Sequence, residues 1–147
     1  MKKQLIINEP TFDKTRKKIR ENKDKEIVFS SLDDELNRKL LEKENIDILL
    51  ISQTDRKDFQ KQRNSGFNQV LAKIAKKNKT KIGIGLDEII DSKEKAEILG
   101  RIIQNIKLCN KNKISMKFIS QKYKRNLRDL KSLGLILGMP TWMTKSL

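Results

Sequence analysis

Five short apolar runs, each followed by residues with helical apolar spacing, constrain this chain more than any other feature. The runs are Leu5-Ile6-Ile7, Glu26–Ser30, Asp47–Ser52, Lys81–Leu86 and Ile114–Ser120. Each is short, rich in β-branched residues and bounded by polar or turn-forming residues, so each reads as a strand. The third is almost continuously apolar, the pattern of a strand covered on both faces. In the fourth, Ile82, Ile84 and Leu86 share one face and glycines occupy the other. The intervening helices are expected at about 12–22, with Thr11 as cap and Phe12, Thr15 and Ile19 inward, and at about 33–44, with Leu36, Leu40 and Leu41 inward. A third follows Gly66, with Phe67, Val70, Leu71 and Ile74 as its stripe. The fourth covers about 92–111, opened by an Asp91/Glu94 capping box and buried through Ala96, Leu99, Ile102, Ile103 and Ile106. Gly100 lies in that stripe and is expected to permit close packing of helix on sheet. Asn126 caps the last long helix, whose apolar face is Leu127, Leu130, Leu133 and Leu137, and Gly138 with Pro140 ends it. A last turn or short helix begins at Trp142.

Strands alternating with helices through short links imply parallel strands joined by right-handed crossovers. Five such units are too few to close an eight-stranded barrel, so an α/β open sheet or partial barrel is expected. The length of 147 residues fits one domain, 1–147, with a modest core. An unclosed barrel leaves an edge strand at residues 4–7, which invites pairing.

Charge comes next. There are 34 Lys and Arg against 19 Asp and Glu, a net charge of +15. Such a balance favours an anionic partner, nucleic acid first. Lysine supplies 26 of the cations and arginine 8, and asparagine is abundant, so a compositional bias also raises the charge. The absence of histidine removes Ser-His-Asp and Cys-His catalysis, and with one cysteine it removes the usual zinc sites. Cys109 reads as a small core residue in a reducing compartment. No apolar run approaches the roughly 18 residues needed to span a bilayer. No signal-peptide core follows Met1, so a cytoplasmic protein without membrane contact is expected.

The polar segment 53–65 follows the end of the third strand, where binding sites collect in parallel α/β sheets. It carries Arg56, Lys57, Lys61 and Arg63, and Lys73 and Lys76 lie on the helix beyond it. A second loop and its helix carry Lys122, Arg125 and Arg128. These nine are the candidate nucleic-acid-binding residues, while Asn64, Ser65 and Gly66 are expected to shape the loop and cap the helix. A guanidinium can grip phosphate in bidentate fashion, which favours the paired Arg125 and Arg128. Aromatic residues make up 5% of the chain, so backbone and shape contacts are expected rather than base stacking on a sheet.

Ser65-Gly66-Phe67-Asn68-Gln69-Val70-Leu71-Ala72-Lys73 resembles the S-G-I-[DN]-H-V-L-A-K signature of archaeal ribonuclease P protein component 3, the thirty-kilodalton subunit family. Arg125–Leu130 is similar to that family's R-x-P-x-[DE]-L segment, and Leu133–Met139 to its L-G-x-[LV]-[LI]-G-[ML] run. The similarity is specific from about Arg63 to Met139 and weaker before. Gln69 stands where the family usually has histidine, and Leu127 replaces its proline. The resemblance implies a TIM-barrel-like (PHP-like) fold, here reduced, lacking the family's first βα units, with a partner or an N-terminal segment over the 4–7 edge. It implies a non-catalytic RNA-binding subunit in which ribonuclease P RNA, using Mg²⁺, removes the 5′ leader of precursor tRNA. The implied partners are that RNA, ribonuclease P protein component 2 and, indirectly, precursor tRNA. No cofactor or metal is expected on the protein.

Two rivals follow from the residues. One is a carboxylate–metal nuclease using Asp47, Asp55, Asp87 or Glu88, which needs those groups to converge. The other is a basic scaffold that binds an acidic protein.

Overall fold

Each apolar run forms a strand in the computed structural model, which describes residues 2–147. The elements are β1 (Gln4–Ile7), α1 (Phe12–Glu21), β2 (Glu26–Ser31), α2 (Asp34–Lys43), β3 (Ile48–Ile51), α3 (Gln69–Lys77), β4 (Lys81–Gly85), α4 (Leu86–Asp91), α5 (Lys95–Asn112), β5 (Met116–Ile119), α6 (Leu127–Ile136) and α7 (Thr141–Lys145). The strands lie in chain order, β1-β2-β3-β4-β5, and every pairing is parallel.

Parallel neighbours need a crossover, and a constant crossover hand puts the helices on one side of the sheet. The side chains agree. Ile7, Ile27, Phe29, Leu49, Ile51, Ile82, Ile84 and Met116 meet Leu40, Leu71, Ile98, Ile102 and Ile106 in the main core. The alternate positions Ile6, Val28, Ile48, Leu50 and Ile119 form a separate small cluster on the other face. Ile6 and Ile119 belong to strands at opposite ends of the sheet, yet both line one cleft of about 330 Å³. The sheet is therefore curled into a half-barrel, and its concave face corresponds to a closed barrel's interior. Gly83 faces this side, where an added Cβ would lie 3.1–3.3 Å from Ile48, Leu50 and Ile119. The expected partial TIM-barrel-like architecture is thus the one observed, with β5 as well as β1 left with a free edge.

Helix ends follow local chemistry. Thr11, Asp33, Asn68 and Asn126 accept backbone N–H bonds at the starts of α1, α2, α3 and α6. The Asp91/Glu94 capping box does not form. Ser92 Oγ accepts the Glu94 N–H instead, at 3.0 Å, and Asp91 turns to Tyr123. Two stripes also differ from expectation. Val70 is half exposed, and α3 packs through Leu71, Ala72 and Ala75, small residues that bring the helix close. Helix α5 buries Ile98, Ile102, Ile106 and Cys109 and leaves Ala96 outside. Cys109 is a core residue, and burial pushes its thiol up to about 12. Leu127 is exposed rather than inward.

Lys79 and Lys113, just beyond α3 and α5, adopt the left-handed conformation with φ of 57° and 55°. Helices usually place glycine there, because a Cβ crowds the following carbonyl. Lys79→Gly is therefore expected to raise stability by about 1 kcal/mol in urea unfolding, and Lys79→Val to lower it.

Candidate nucleic-acid interface

Residues 52–68 leave the carboxyl end of β3 without regular structure, yet they are held at many points. The central hold is Arg101, buried on α5. Its Nη1 donates to Gln53 O at 2.8 Å, its Nη2 to Arg56 O at 2.8 Å and its Nε to Asp58 Oδ1 at 2.9 Å. Asp58 then accepts the Asn64 N–H at 2.9 Å and Arg63 Nη1 at 3.0 Å, closing the loop on itself. Gln104, one turn along α5, exchanges two bonds with the Arg63 backbone. From below, Gln53 Nε2 donates to Ser65 O at 2.9 Å. Gly66 has φ of 72°, and the Arg56 guanidinium lies where its Cβ would be, so no other residue fits.

The loop after β5 is held by a carboxylate too. Asp87 accepts the backbone N–H groups of Gln121, Lys122 and Tyr123 at 2.8–3.0 Å. Asp91 accepts from the Tyr123 hydroxyl at 2.6 Å and from Lys122 Nζ at 3.2 Å. Glu88, the residue after Asp87, points the other way, accepting from Ser52 Oγ at 3.1 Å and the Gln53 N–H at 3.0 Å. So α4 anchors both loops from its first turn.

The electrostatics match this geometry. The Arg101 guanidinium, helped by the Asn64 N–H and Arg63, holds the Asp58 carboxyl below the usual carboxylate range. Desolvation pushes Asp87 upward, but its three backbone donors and Lys122 more than offset this and hold it low. Burial raises Glu88 against the bonds it accepts.

These positions change the sequence-based picture. Arg56 is not a free cation. Its side chain is 8% exposed, with Nη1 and Nη2 on Asp34 at 3.0 and 2.8 Å and Nε on Ser52 O at 2.7 Å. Arg63 is half engaged, by Asp58 and by its seat over Gly100, where a Cβ would come within 2.5 Å of its guanidinium. Gly100 thus makes room for the loop, not for the sheet. Lys57 and Lys61 are exposed and without an ion-pair partner among the described residues, and the Phe59 ring between them is 58% exposed. Arg125 and Arg128 are exposed on the other loop and the start of α6, while Lys122 leans on Asp91. Lys73 is exposed in mid-α3. Lys76 lies at the far end of that helix, at the end of the sheet opposite both loops, and donates to Lys113 O. Ser65 is buried and bonds Phe67, and the Asn64 N–H bonds Asp58, so these residues shape the loop but do not cap the helix; α3 starts later, and Asn68 caps it. The four carboxylates of the nuclease reading do not converge. Asp47 binds the Ile27 N–H at the amino end of the sheet, and Asp87 and Glu88 diverge. No group of three or more His, Cys, Asp or Glu able to hold a metal occurs among the described residues.

No protein-family model matches this sequence. A curated relative, ribonuclease P protein component 3 from Methanococcus vannielii, is 31% identical over 109 residues. Over that stretch the chain is similar to ribonuclease P protein component 3. The match covers 73% of this chain and 44% of the relative, so the chain spans less than half of that protein's length. A chain in the cryo-EM structure of archaeal ribonuclease P with mature tRNA shares the fold, with a TM-score of 0.80 and 23% identity over 98% of this chain and 63% of that one. In this chain Gln69, which stands in the signature's histidine position, exchanges two amide bonds with Asn112.

The sequence patterns above give Arg101, Asp58 and Gln104 no part in holding the loop. The signal was available: Arg101 and Asn105 share the Ile98–Ile102–Ile106 stripe, and a guanidinium on a buried face needs a dedicated set of acceptors. Arg101→Leu is expected to cost about 2–3 kcal/mol in urea unfolding and to strip hydrogen-exchange protection from the Asn64 N–H. Arg101→Lys should restore little, because an ammonium cannot span three acceptors. Both loops should also loosen in acid. Carboxyls held low add stability that is complete above their unfolded values, near 3.9, and that is lost as pH falls through the folded ones. Amide exchange at Asn64 and at 121–123 should rise in that window. Glu88 has the opposite sign and is expected to blunt the loss.

Proposed function

We propose that this chain is a non-catalytic RNA-binding subunit of ribonuclease P that supports RNA-catalysed removal of the 5′ leader of precursor tRNA. One observation carries the reading: two loops at the same end of the half-barrel are pinned from inside by Arg101, Asp87 and Glu88, and turn Lys57, Lys61, Arg125 and Arg128 outward. Fixed cations of this kind neutralise a folded polyanion at low ordering cost and release its counterions. The similarity to component 3 supplies the choice of RNA.

The Mg²⁺ that the reaction uses is assigned to the RNA, not to this chain. A protein partner, component 2, fits the same reading. Leu127, Leu135 and Ile136 are exposed around α6, and exposed apolar side chains suit a protein surface rather than phosphate. No helix among the described residues is long and apolar enough to cross a membrane.

The test is reconstitution with ribonuclease P RNA and component 2. The chain is expected to bind the RNA and to increase leader removal. Lys57→Gln with Lys61→Gln, and separately Arg125→Gln with Arg128→Gln, should each weaken binding and lower the salt slope by roughly 1–2. An absence of RNA binding would overturn the proposal. So would RNA cleavage by the isolated chain in Mg²⁺ that Asp87→Asn abolishes, which would favour the nuclease.

A further inference from the structure

The lysine that the loops leave behind, Lys76, belongs to a different surface. At the amino ends of β4 and β5, a cleft of about 190 Å³ is lined by Lys76, Lys79, Lys81 and Lys113, with Thr80, Ser115 and the buried Ala75 and Ile114. Half of its lining residues are lysines and none is acidic. Lys79 and Lys81 make no ion pair among the described residues, and the Lys113 ammonium lies 5.4 Å from the centre of the Trp142 ring. Lys76 ties the ends of α3 and α5 together through Lys113 O at 2.9 Å, so the walls of the cleft are joined. Two of the four lysines occupy the left-handed positions described above, where glycine would relieve the backbone but contribute no charge.

We propose that this cleft is a second phosphate-binding surface for the RNA backbone, at the end of the half-barrel opposite the two loops. The inference rests on the RNA-binding reading and extends it. A helix-end carbonyl accounts for the Lys76 ammonium, but Lys79 and Lys81 lie beyond α3, and only the Lys79 backbone N–H, not its ammonium, bonds a carbonyl of that helix. A protein partner fits less well. Ala75 and Ile114 are buried beneath the lysines, so the cleft offers no exposed apolar anchor of the kind that dominates protein interfaces. Clustered ammonium groups suit phosphate as point charges. The nine residues of α3 separate this cleft from the loop before it by about 13 Å. That exceeds the screening length of about 8 Å at physiological salt, so the two surfaces attract phosphate independently. The chain thereby spans two stretches of RNA.

The experiment measures the salt dependence of RNA affinity for the full chain. Lys79→Gln, Lys81→Gln and Lys113→Gln together are expected to lower the slope by roughly 2–3, since each phosphate contact contributes about 0.9 on duplex. Arginine at the same three positions should retain it. A control that removes the same charge elsewhere, Lys14→Gln with Lys17→Gln and Lys93→Gln, should not change it. If the wild type binds RNA and the cleft variant matches the control, this proposal is overturned and the subunit reading stands. If the wild type binds no RNA, both fail. Loss of component 2 binding with an unchanged RNA slope also overturns it, in favour of a protein surface. Should the glutamine variant fail to fold, acetylation of the wild-type chain decides: RNA must protect Lys79 and Lys81, and unchanged reactivity there refutes the assignment.

Discussion

The arrangement depends on one buried cation. A guanidinium removed from water is costly unless its donors are met, and Arg101 meets two carbonyls and a carboxylate. All three acceptors lie in the segment after β3, so its charge is compensated only when that segment is folded against α5. The dependence runs both ways. The segment has few apolar residues with which to order itself, and the strands would pair without it. Its shape comes from a charge on a neighbouring helix, relayed through Asp58 to Asn64 and Arg63. Cations close to each other in sequence therefore have different roles: Arg56 is turned inward as part of the support, and Lys57 and Lys61 are left to face solvent.

The sheet was legible in the sequence because its signals are local. Five apolar runs, the alternation of Ile82 and Ile84 with glycine, and caps such as Thr11 and Asn126 each declare themselves within a few residues. The order of the strands followed from short crossovers of one hand. What was not legible depends on contacts across the fold. Gly100 read as a packing glycine because its neighbours are apolar, and only the return of Arg63 over α5 shows what occupies the space. Asp91 and Glu94 have capping-box spacing, but Tyr123, far along the chain, competes successfully for Asp91. Lys73 and Lys76 looked like members of the loop surface because they are near it in sequence. The rise of a helix carries its two ends to opposite ends of the sheet, and with it Lys76.

The half-barrel explains why the loops can be anchored and still face outward. Every crossover helix lies on the convex side, so the carboxyl ends of the strands are not covered, and the concave face is lined by Ile6, Val28, Ile48, Leu50 and Ile119 without any aromatic residue. The rings of Phe29 and Phe118 point to the helices, which leaves no stacking platform on the sheet.

Helix α4 carries a consequence of its own. Asp87 and Glu88 are adjacent on its first turn, and each fastens a different loop. A ligand that stills one loop also stills this shared footing, and part of the entropy that ordering the other would cost has then already been lost. The first turn of α4 is thus one footing common to both loops, and a change there reaches the two together.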